Sequence, residues 1–233
     1  MRITDVARIG DYVLYSPDVT YVSFCVEDSG TNNRQSCEPS KIKEWRVLDN
    51  CYGYVELVSV QDMPKFFLQG EHGYRNAVAF LNKICLAYVN RRHAISARCL
   101  GTSEKSIPKV NDVLTFNNIF NTRYDWKAND TLDDNHFEVD TQTTLANGFF
   151  TRGSGWIWLG SRSVKLKDSM CSLEVKAIAP EGKVEDVPLC MDCSDGRHFD
   201  FFECCHVCPV VKLRQDVNVV SGDGTKENPY VLA

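Results

Sequence analysis

Residues 156–164 read Trp-Ile-Trp-Leu-Gly-Ser-Arg-Ser-Val, and they form the densest apolar and aromatic run of the chain. The run follows a turn-forming sequence, Gly153-Ser154-Gly155, and residues that favour β-strands dominate it. An apolar run of this kind next to turn residues predicts a buried strand. A second apolar run, Val207–Leu213, predicts another core strand. We therefore expect these two strands to belong to the scaffold and the polar segment between them to carry the function.

The composition limits the class of protein. The chain has 233 residues, a net charge of −5, 43% hydrophobic residues and a sequence pI near 5.6. These values predict one domain over residues 1–233, and the absence of a basic block argues against nucleic-acid binding. No apolar run reaches the ~20 residues of a membrane span, so we expect no membrane insertion. The start of the sequence has no apolar signal segment, which predicts a cytoplasmic or virion-associated protein.

Two patterns in residues 1–115 predict the strands and helices of the scaffold. Residues 44–49 and 54–59 alternate around a short Asn/Gly turn, which is typical of a β-hairpin. Apolar residues recur at helical spacing from Ala77 to Tyr88, which predicts a long helix over about 73–89. The other elements expected here are a strand at 11–15, a surface loop at 27–43 and a short helix between 102 and 114.

The remaining residues predict a long excursion followed by strands. Residues 116–155 carry many Asn, Asp and Thr, and we expect one short strand there at 136–140. The later predicted strands are 156–164, 173–178, 184–189, 207–213 and 217–220. Residues 190–206 are expected to be irregular and polar. Strands followed by helices and further strands indicate the α+β class.

Several motifs occur in a fixed order along nearly the whole chain. They are Gly10-Asp11-Tyr12-Val13, Trp45-Arg46-Val47, Phe67-Leu68-Gln69-Gly70 with Gly73-Tyr74, Ala97-Arg98, Trp158-Leu159-Gly160-Ser161-Arg162, Pro209-Val210-Val211-Lys212-Leu213 and Gly222-Asp223-Gly224-Thr225-Lys226-Glu227-Asn228-Pro229-Tyr230. This series resembles proteins of gut Firmicutes and their phages. The C-terminal part of those proteins is similar to the C-type-lectin-like fold of formylglycine-generating-enzyme-like proteins. Some of them resemble the variable proteins of diversity-generating retroelements, whose genes are rewritten at adenine positions.

The resemblance implies a fold and a function. The implied fold is a C-type-lectin-like domain with a twisted antiparallel sheet, one long and one short helix, and long loops. The implied function is non-enzymatic binding of a protein or a cell-surface receptor, through a variable surface over about 165–206. One departure from the family pattern is Val207-Cys208, where relatives tend to have Leu-Arg, which puts a scaffold arginine in doubt.

The best candidate for a binding surface lies in residues 197–203, which place three Phe among Arg, His and acidic residues. Aromatic and Arg side chains dominate the binding energy of interfaces, and we expect about half of these Phe side chains to be exposed. The predicted ligand-binding residues are Lys176, Met191, Asp192, Ser194, Asp195, Arg197, His198, Phe199, Asp200, Phe201, Phe202, Glu203 and His206.

A second hypothesis concerns the cysteines. Cys190-x-x-Cys193 and Cys205-x-x-Cys208 approach the spacing of a structural zinc site, in which four thiolates surround one ion. Such a site would indicate a zinc-stabilised intracellular interaction domain. The competing interpretation is that these thiols are free, because the chain has eleven cysteines and no secretory signal.

Two further interpretations remain open. An enzyme of the formylglycine-generating type would need a pocket that holds two cysteines. A calcium site would need six to eight oxygen ligands in one place. The acidic residues Asp130, Asp133, Asp134 and Asp140 are better explained as a solvated loop. Trp45, Trp156 and Trp158 are expected in the core, and Arg162 is expected to be a buried, paired scaffold residue.

Overall fold

The computed structural model describes residues 1–25, 29–31, 34–60, 64–102, 140, 148–149, 155–167, 170–193 and 195–233. Within these ranges the helices are α1 (Ile3–Val6), α2 (Gly70–Leu86) and a 3-10 helix at Pro39–Lys41. The strands are β1 (Tyr12–Leu14), β2 (Val22–Phe24), β3 (Gln35–Cys37), β4 (Glu44–Cys51), β5 (Tyr54–Ser59), β6 (Lys65–Gln69), β7 (Ala94–Cys99), β8 (Ile157–Lys167), β9 (Met170–Ile178), β10 (Val184–Cys193), β11 (His198–Asp200), β12 (Phe202–Val207), β13 (Pro209–Leu213), β14 (Val219–Ser221) and β15 (Tyr230–Leu232). This mostly β arrangement with one long helix is consistent with the predicted α+β class.

The described strands form two large sheets and one small sheet. The seven-stranded sheet has the order β14-β15-β1-β4-β5-β13-β7, and the six-stranded sheet has the order β11-β10-β9-β8-β12-β6. The small sheet pairs β2 with β3. Each large sheet contains a parallel pair, β1 with β15 and β8 with β12. The sequence predicted an antiparallel sheet; most pairs of both large sheets are antiparallel, and the one parallel pair in each makes both sheets mixed.

The predicted hairpin is the β4–β5 pair of the seven-stranded sheet. Cys51 pairs with Tyr54, so the connecting loop has two residues. These residues, Tyr52 and Gly53, both have positive φ, 51° and 78°. Positive φ at both positions is the geometry of the turn that best matches the twist of a hairpin. The inward side chains of the two strands are buried, as expected for Trp45, Val47, Val55 and Leu57.

Helix α2 contacts strands of both large sheets. It touches β7 of the seven-stranded sheet and β6, β8, β9 and β10 of the six-stranded sheet. Its apolar positions are buried at Tyr74, Ala77, Phe80, Leu81, Ile84 and Cys85. The helical spacing in the sequence therefore predicts the buried side of this helix correctly, and the helix begins and ends three residues earlier than expected.

Strand β8 contains residues 157–164 of the apolar run and lies between β9 and β12. Trp158 is completely buried, and Arg162 is only 8% exposed. The Arg162 guanidinium donates a hydrogen bond to the Arg75 carbonyl at 2.8 Å and lies over the Tyr74 ring at 5.1 Å. Arg162 thus connects the six-stranded sheet to the first turns of α2, as predicted for a scaffold arginine.

The run 207–213 is not one strand, as predicted, but spans two sheets. Strand β12 ends at Val207 in the six-stranded sheet, and β13 begins at Pro209 in the seven-stranded sheet. Between them, Cys208 is buried and its thiol donates to the Ser59 carbonyl at 3.3 Å. Pro209 has no amide hydrogen to continue a ladder, which is compatible with a change of sheet at this point.

Most of residues 165–206, the predicted variable surface, lie in strands β8–β12. Strand β10 continues to Cys193, and β11 and β12 follow it, so the prediction that 190–206 is irregular is wrong. The core includes Leu173, Val175, Leu189, Cys190 and Cys205 from this segment. Only part of the segment is therefore available to a ligand.

Some other predictions differ or fall elsewhere. The predicted loop 27–43 contains β3 and the 3-10 helix, because Gln35 and Cys37 are buried and β3 pairs with β2. The short helix expected between 102 and 114 and the strand at 136–140 lie outside the described residues, apart from Thr102 and Asp140.

One face of the six-stranded sheet carries an ionic network. Asp186 of β10 accepts hydrogen bonds from Ser163 at 2.8 Å and from Lys176 at 3.0 Å, and it pairs with Lys165 at 3.0 Å. Lys165 also pairs with Glu174 at 3.0 Å. Burial raises the pKa of Asp186, but the hydrogen bonds from Lys165, Ser163 and Lys176 outweigh it and hold the pKa below its usual value of 3.8. The ionised form is therefore the one that the folded state favours.

Replacing Asp186 by Asn should lower the free energy of unfolding at pH 7 by about 1–2 kcal/mol, because charge-assisted hydrogen bonds are lost at a partly screened site. A carboxyl whose folded pKa is depressed contributes stability above its unfolded pKa and loses that contribution as the pH falls through the folded pKa. The difference between the two proteins should therefore shrink below pH 4. Urea unfolding at pH 7 and pH 3 measures it. Asp195→Asn, at a fully exposed ion pair, should show no measurable change, and a difference that stays constant with pH would contradict the assignment.

Candidate metal centre and binding surface

The β10–β11 hairpin places four side chains that can bind protons or metal ions on one face. Its register pairs Cys190 with Asp200 and Asp192 with His198. Residues two apart in a strand point to the same face, and directly paired residues share a face. Cys190, Asp192, His198 and Asp200 therefore project together; we call them the hairpin cluster.

His198 lies at the centre of the hairpin cluster. Its Nδ1 is 2.5 Å from Asp192 Oδ1, and its Nε2 is 3.2 Å from Asp200 Oδ1. The Cys190 sulfur is 3.9 Å from Nδ1 and 4.0 Å from Nε2. The hydrogen bond that His198 donates to Asp192 raises the pKa of His198, although partial burial opposes this. Cys190, His198 and Asp200 each offer one ligand atom within 4.8 Å of the others, so these three residues could hold a metal ion.

The hairpin cluster lies against the N-terminus of α2. The backbone N–H of Glu71 donates to Asp200 Oδ1 at 3.3 Å, and Gly70 N–H donates to the Phe201 carbonyl at 3.1 Å. Gly70 has a φ of +59°, and a Cβ there would lie 2.5 Å from Asp200 Oδ1. Asp200 thus accepts a hydrogen bond from one of the otherwise unpaired N–H groups of the first turn, where a negative charge is favourable.

Phe201 brings distant strands of the six-stranded sheet together. It is the single residue between β11 and β12, and its N–H donates to the Leu189 carbonyl at 2.8 Å. In the six-stranded sheet, β11 is one edge strand and β12 lies next to the other edge strand, β6. A single residue joins β11 to β12, so the sheet must curl strongly to bring its two edges together. This curl is what places the β10–β11 hairpin next to the start of α2.

Cys190 is not arranged as a nucleophile. Burial, followed by the charges of Asp192, Asp200 and Glu71, raises the pKa of its thiol to about 12. A reactive cysteine needs the opposite environment, one that favours the thiolate. Both ring nitrogens of His198 also face carboxylates, so neither is aligned to take the thiol proton. A bound cation would favour the thiolate form of Cys190, because a coordinated thiol loses its proton.

The four cysteines of the predicted zinc site do not come together. Cys193 is three residues from Cys190 on β10, on the opposite face of the strand. Cys205 belongs to the main core, and Cys208 belongs to a second apolar cluster with Leu48 and Val58. The CxxC spacing was misleading because both pairs lie on or beside extended strands, in which such a spacing separates the two side chains. All eleven cysteines are free thiols.

The opposite face of the hairpin is apolar. Met191 and Phe199 are paired in register there, and Phe199 is 43% exposed. On β12, Phe202 is 46% exposed, and its ring stacks on Phe67 with a centroid distance of 4.6 Å. Phe201 is half-buried. Two of the three predicted Phe residues are thus exposed, in agreement with the expected half.

The other predicted binding residues are spread over the sheet. Lys176 belongs to the Asp186 network, where its side chain is only 16% exposed. Arg197 pairs with Asp195 at 2.8 Å in the hairpin turn. Glu203 and His206 are half-buried on β12, and Ser194 lies outside the described residues. The structure therefore groups Asp192, His198 and Asp200 tightly, places Met191 and Phe199 behind them, and leaves Lys176 elsewhere.

Sequence reasoning missed three contributors to this region: Phe67, Glu71 and the role of Gly70 at the start of α2. A signal for two of them exists. The pair Phe66-Phe67 alternates between core and surface on β6, and Gly70 directly precedes an acidic residue at a helix start. Neither signal indicates the distant partner, Phe202 or Asp200, that each residue contacts.

A pocket suited to formylglycine-generating chemistry is not observed in the described part of the chain. Cys85 and Cys99 are close enough to hydrogen-bond, but both are fully buried in the core. A surface pocket of about 590 Å³ exists at the junction of α1, β4 and β15. Its lining residues are Thr4, Asp5, Val6, Ala7, Arg8, Asp11, Asn50, Asp223 and Tyr230. None of these is a cysteine.

Because comparison with known proteins found no match, a function has to be assigned from the geometry of the hairpin cluster and the aromatic residues. No family model matches the chain, and no curated protein or solved structure matches it. Among the helices within the described ranges, none combines the length and apolar character required to span a bilayer.

Proposed function

We propose that the protein is a non-enzymatic binding protein that contacts a protein partner through the exposed aromatic surface of β11 and β12. The observation that carries this proposal is the exposure of Phe199 and Phe202, at 43% and 46%, on strands β11 and β12, which are joined by the single residue Phe201. Single exposed apolar residues are common on proteins, but grouped aromatic residues mark a partner site.

The surface is built on paired strands, which favours a preformed shape. Phe202 stacks on Phe67 of β6, the strand paired with β12, and Phe199 lies on β11, which is paired with β10 by backbone hydrogen bonds. A preformed surface loses little conformational entropy on binding, so more of the contact energy appears as affinity. Arg197 and Met191 adjoin the aromatic residues and are of the types enriched at interfaces.

Charge favours a protein over a nucleic acid as the partner. The acidic residues Asp192, Asp195, Asp200 and Glu203 lie in the same segment of the chain as the aromatic residues, and the whole chain has a net charge of −5. Phosphate backbones need clusters of Lys and Arg, which this surface lacks among its described residues. A protein with an apolar patch and basic neighbours matches both features.

The C-type-lectin-like scaffold and the retroelement origin belong to this proposal as predictions from the sequence motifs. They assign the partner to a bacterial or phage context, such as a cell-surface receptor. A gene neighbourhood that contains an adenine-variable copy of the 165–206 coding region would support the origin by diversification. The binding role of Phe199 and Phe202 does not depend on that origin.

The double variant Phe199→Ala/Phe202→Ala should bind its protein partner at least 30-fold more weakly, because each aromatic anchor contributes roughly 2 kcal/mol or more. The probe is an extract of bacterial envelope proteins. A photo-crosslinking residue at position 199 should capture one protein, and purified copies of that protein then serve for surface plasmon resonance. Tyr52 is 94% exposed on the β4–β5 turn and provides the control site, both for the crosslinker and for Tyr52→Ala. Equal capture from positions 52 and 199, or unchanged affinity of the double variant, would contradict the proposal.

A further inference from the structure

The hairpin cluster combines one sulfur, one imidazole and two carboxylates around a common point. Its members come from two paired strands, and three of them meet within 4.8 Å. Neither the aromatic surface nor the scaffold accounts for this grouping, because the cluster lies on the opposite face of the hairpin from Met191 and Phe199.

We propose that Cys190, His198 and Asp200 bind one zinc ion, with Asp192 holding His198 in the ligating tautomer and a fourth position open to solvent. This inference goes beyond the proposed partner binding and does not depend on it. Zinc in proteins takes sulfur, nitrogen and oxygen ligands in a tetrahedral arrangement, and sites with three protein ligands keep one position open.

The observed distances suit a tetrahedral ion. Zinc bond lengths in proteins place a nitrogen and an oxygen ligand about 3.3 Å apart, and a nitrogen and a sulfur ligand about 3.6 Å apart. His198 Nε2 lies 3.2 Å from Asp200 Oδ1 and 4.0 Å from the Cys190 sulfur. The Cys190 sulfur and the Asp200 oxygen lie within 4.8 Å of each other, so the sulfur has to move closer to Nε2 by about 0.4 Å and closer to Asp200 by up to about 1 Å, which a side-chain rotation can supply.

Asp192 is a positioning residue rather than a ligand. Its Oδ1 lies 2.5 Å from Nδ1, on the other side of the ring from Nε2. A carboxylate that accepts the second ring hydrogen fixes both the tautomer and the ring orientation, as is usual for histidine ligands of metals. Asp200 is held in turn by the Glu71 N–H at 3.3 Å. Two of the three ligands are thus preorganised by neighbouring groups.

The ligand types select against other common ions. Calcium and magnesium prefer sets made of oxygen, with six or more ligands, and a thiol and an imidazole do not suit them. The site is also accessible, since the side chains of His198 and Asp200 are 47% and 45% exposed. Cys190 is buried beneath them and supplies the sulfur from the core side.

Metal binding can be measured on the full chain after chelator treatment under reducing conditions. Isothermal titration with zinc should give one ion per chain. Cobalt, used as a visible probe, should give the intense bands of a tetrahedral site and a thiolate-to-cobalt charge-transfer band. Binding without the thiolate band, or no stoichiometric binding, would overturn the proposal.

Variants separate this site from the CxxC arrangement. Cys190→Ser should remove the thiolate band, and His198→Asn and Asp200→Asn should each weaken zinc binding at least tenfold. Asn at position 200 can still accept the Glu71 N–H, so the helix cap is retained. Cys193→Ser on the same strand and Cys205→Ser are the matched controls and should bind zinc normally. Loss of the thiolate band in either control would assign the sulfur to another cysteine and overturn the proposal.

The role of Asp192 has its own readout. Asp192→Ala should weaken zinc binding about 10–100-fold while the cobalt bands keep their tetrahedral form and the thiolate band persists. Asp192→Asn should lose less, because its amide oxygen still accepts the Nδ1 hydrogen. Circular dichroism of each metal-free variant checks folding, and His198→Asn, at an exposed position, serves where Cys190→Ser does not fold. Unchanged affinity in Asp192→Ala would show that Asp192 does not position the ligand.

Discussion

Replacing Arg98 by Met should lower the free energy of unfolding by about 3–5 kcal/mol, because the change leaves two carboxylates without their buried cation. Arg98 is 8% exposed. Its guanidinium contacts both oxygens of Asp140, at 2.6 and 3.1 Å, and Glu56 Oε2 at 2.7 Å. Asp140 also accepts the Gly101 N–H at 2.8 Å. The two-pronged contact fits the fixed fork of Arg, so even Lys should not restore it.

Equilibrium unfolding in urea measures this loss, and the dependence on urea concentration should stay unchanged if only the folded state is affected. Arg214→Met is a matched control, because Arg214 also pairs with an acid, Asp216, but lies on the surface. That variant should unfold at the wild-type urea concentration. A loss below about 1 kcal/mol in Arg98→Met would mean that Asp140 and Glu56 are compensated by other groups.

The same ion pair shows where prediction from sequence reaches its limit. The acidic residues of 130–140 suggested a solvated loop, yet Asp140 is 2% exposed and holds Arg98, which is 42 residues away. Neither residue carries a local pattern that identifies the other. The motif Ala97-Arg98 indicated a feature of interest without indicating that the arginine is buried.

Sequence periodicity correctly predicted the elements that are determined by residues close to one another in the sequence. The β4–β5 hairpin depends on a two-residue turn, and α2 depends on a repeating apolar stripe, so both were predicted from their own residues. The change of sheet at Cys208 and the parallel β8–β12 pair depend on contacts across the fold. Sequence patterns contain little information on such contacts.

The hairpin cluster was within reach of sequence reasoning but was missed. Cys190 and Asp192 are two residues apart, and so are His198 and Asp200, which is the spacing of side chains on one strand face. The CxxC spacing drew attention to Cys193, and the polar composition of 190–206 suggested an irregular segment. An alternation test on both halves of the turn at Asp195–Gly196 would have paired the four residues correctly.

The second large effect concerns the strand that contains the apolar run. Trp158→Ala should lower the free energy of unfolding by about 3–5 kcal/mol, the range for removing a large buried aromatic side chain. Trp158 is completely buried, and it lies on a central strand, paired with Ala177 on one side and Val207 on the other. Its indole N–H donates to the Phe66 carbonyl at 3.0 Å, so the variant also removes a buried hydrogen bond.

The variant Trp158→Phe separates the contribution of the buried apolar contacts from that of the indole hydrogen bond. Phenylalanine keeps most of the apolar contact and removes the hydrogen bond, so the loss should fall to about 1–3 kcal/mol. Unfolding followed by circular dichroism gives both values, and intrinsic fluorescence follows the remaining tryptophans. If Phe and Ala at position 158 cost the same, the hydrogen bond to Phe66 would account for most of the effect. If both cost under 1 kcal/mol, the central position of this strand in the core would be wrong, since a cavity of tryptophan size in a packed interior cannot be neutral.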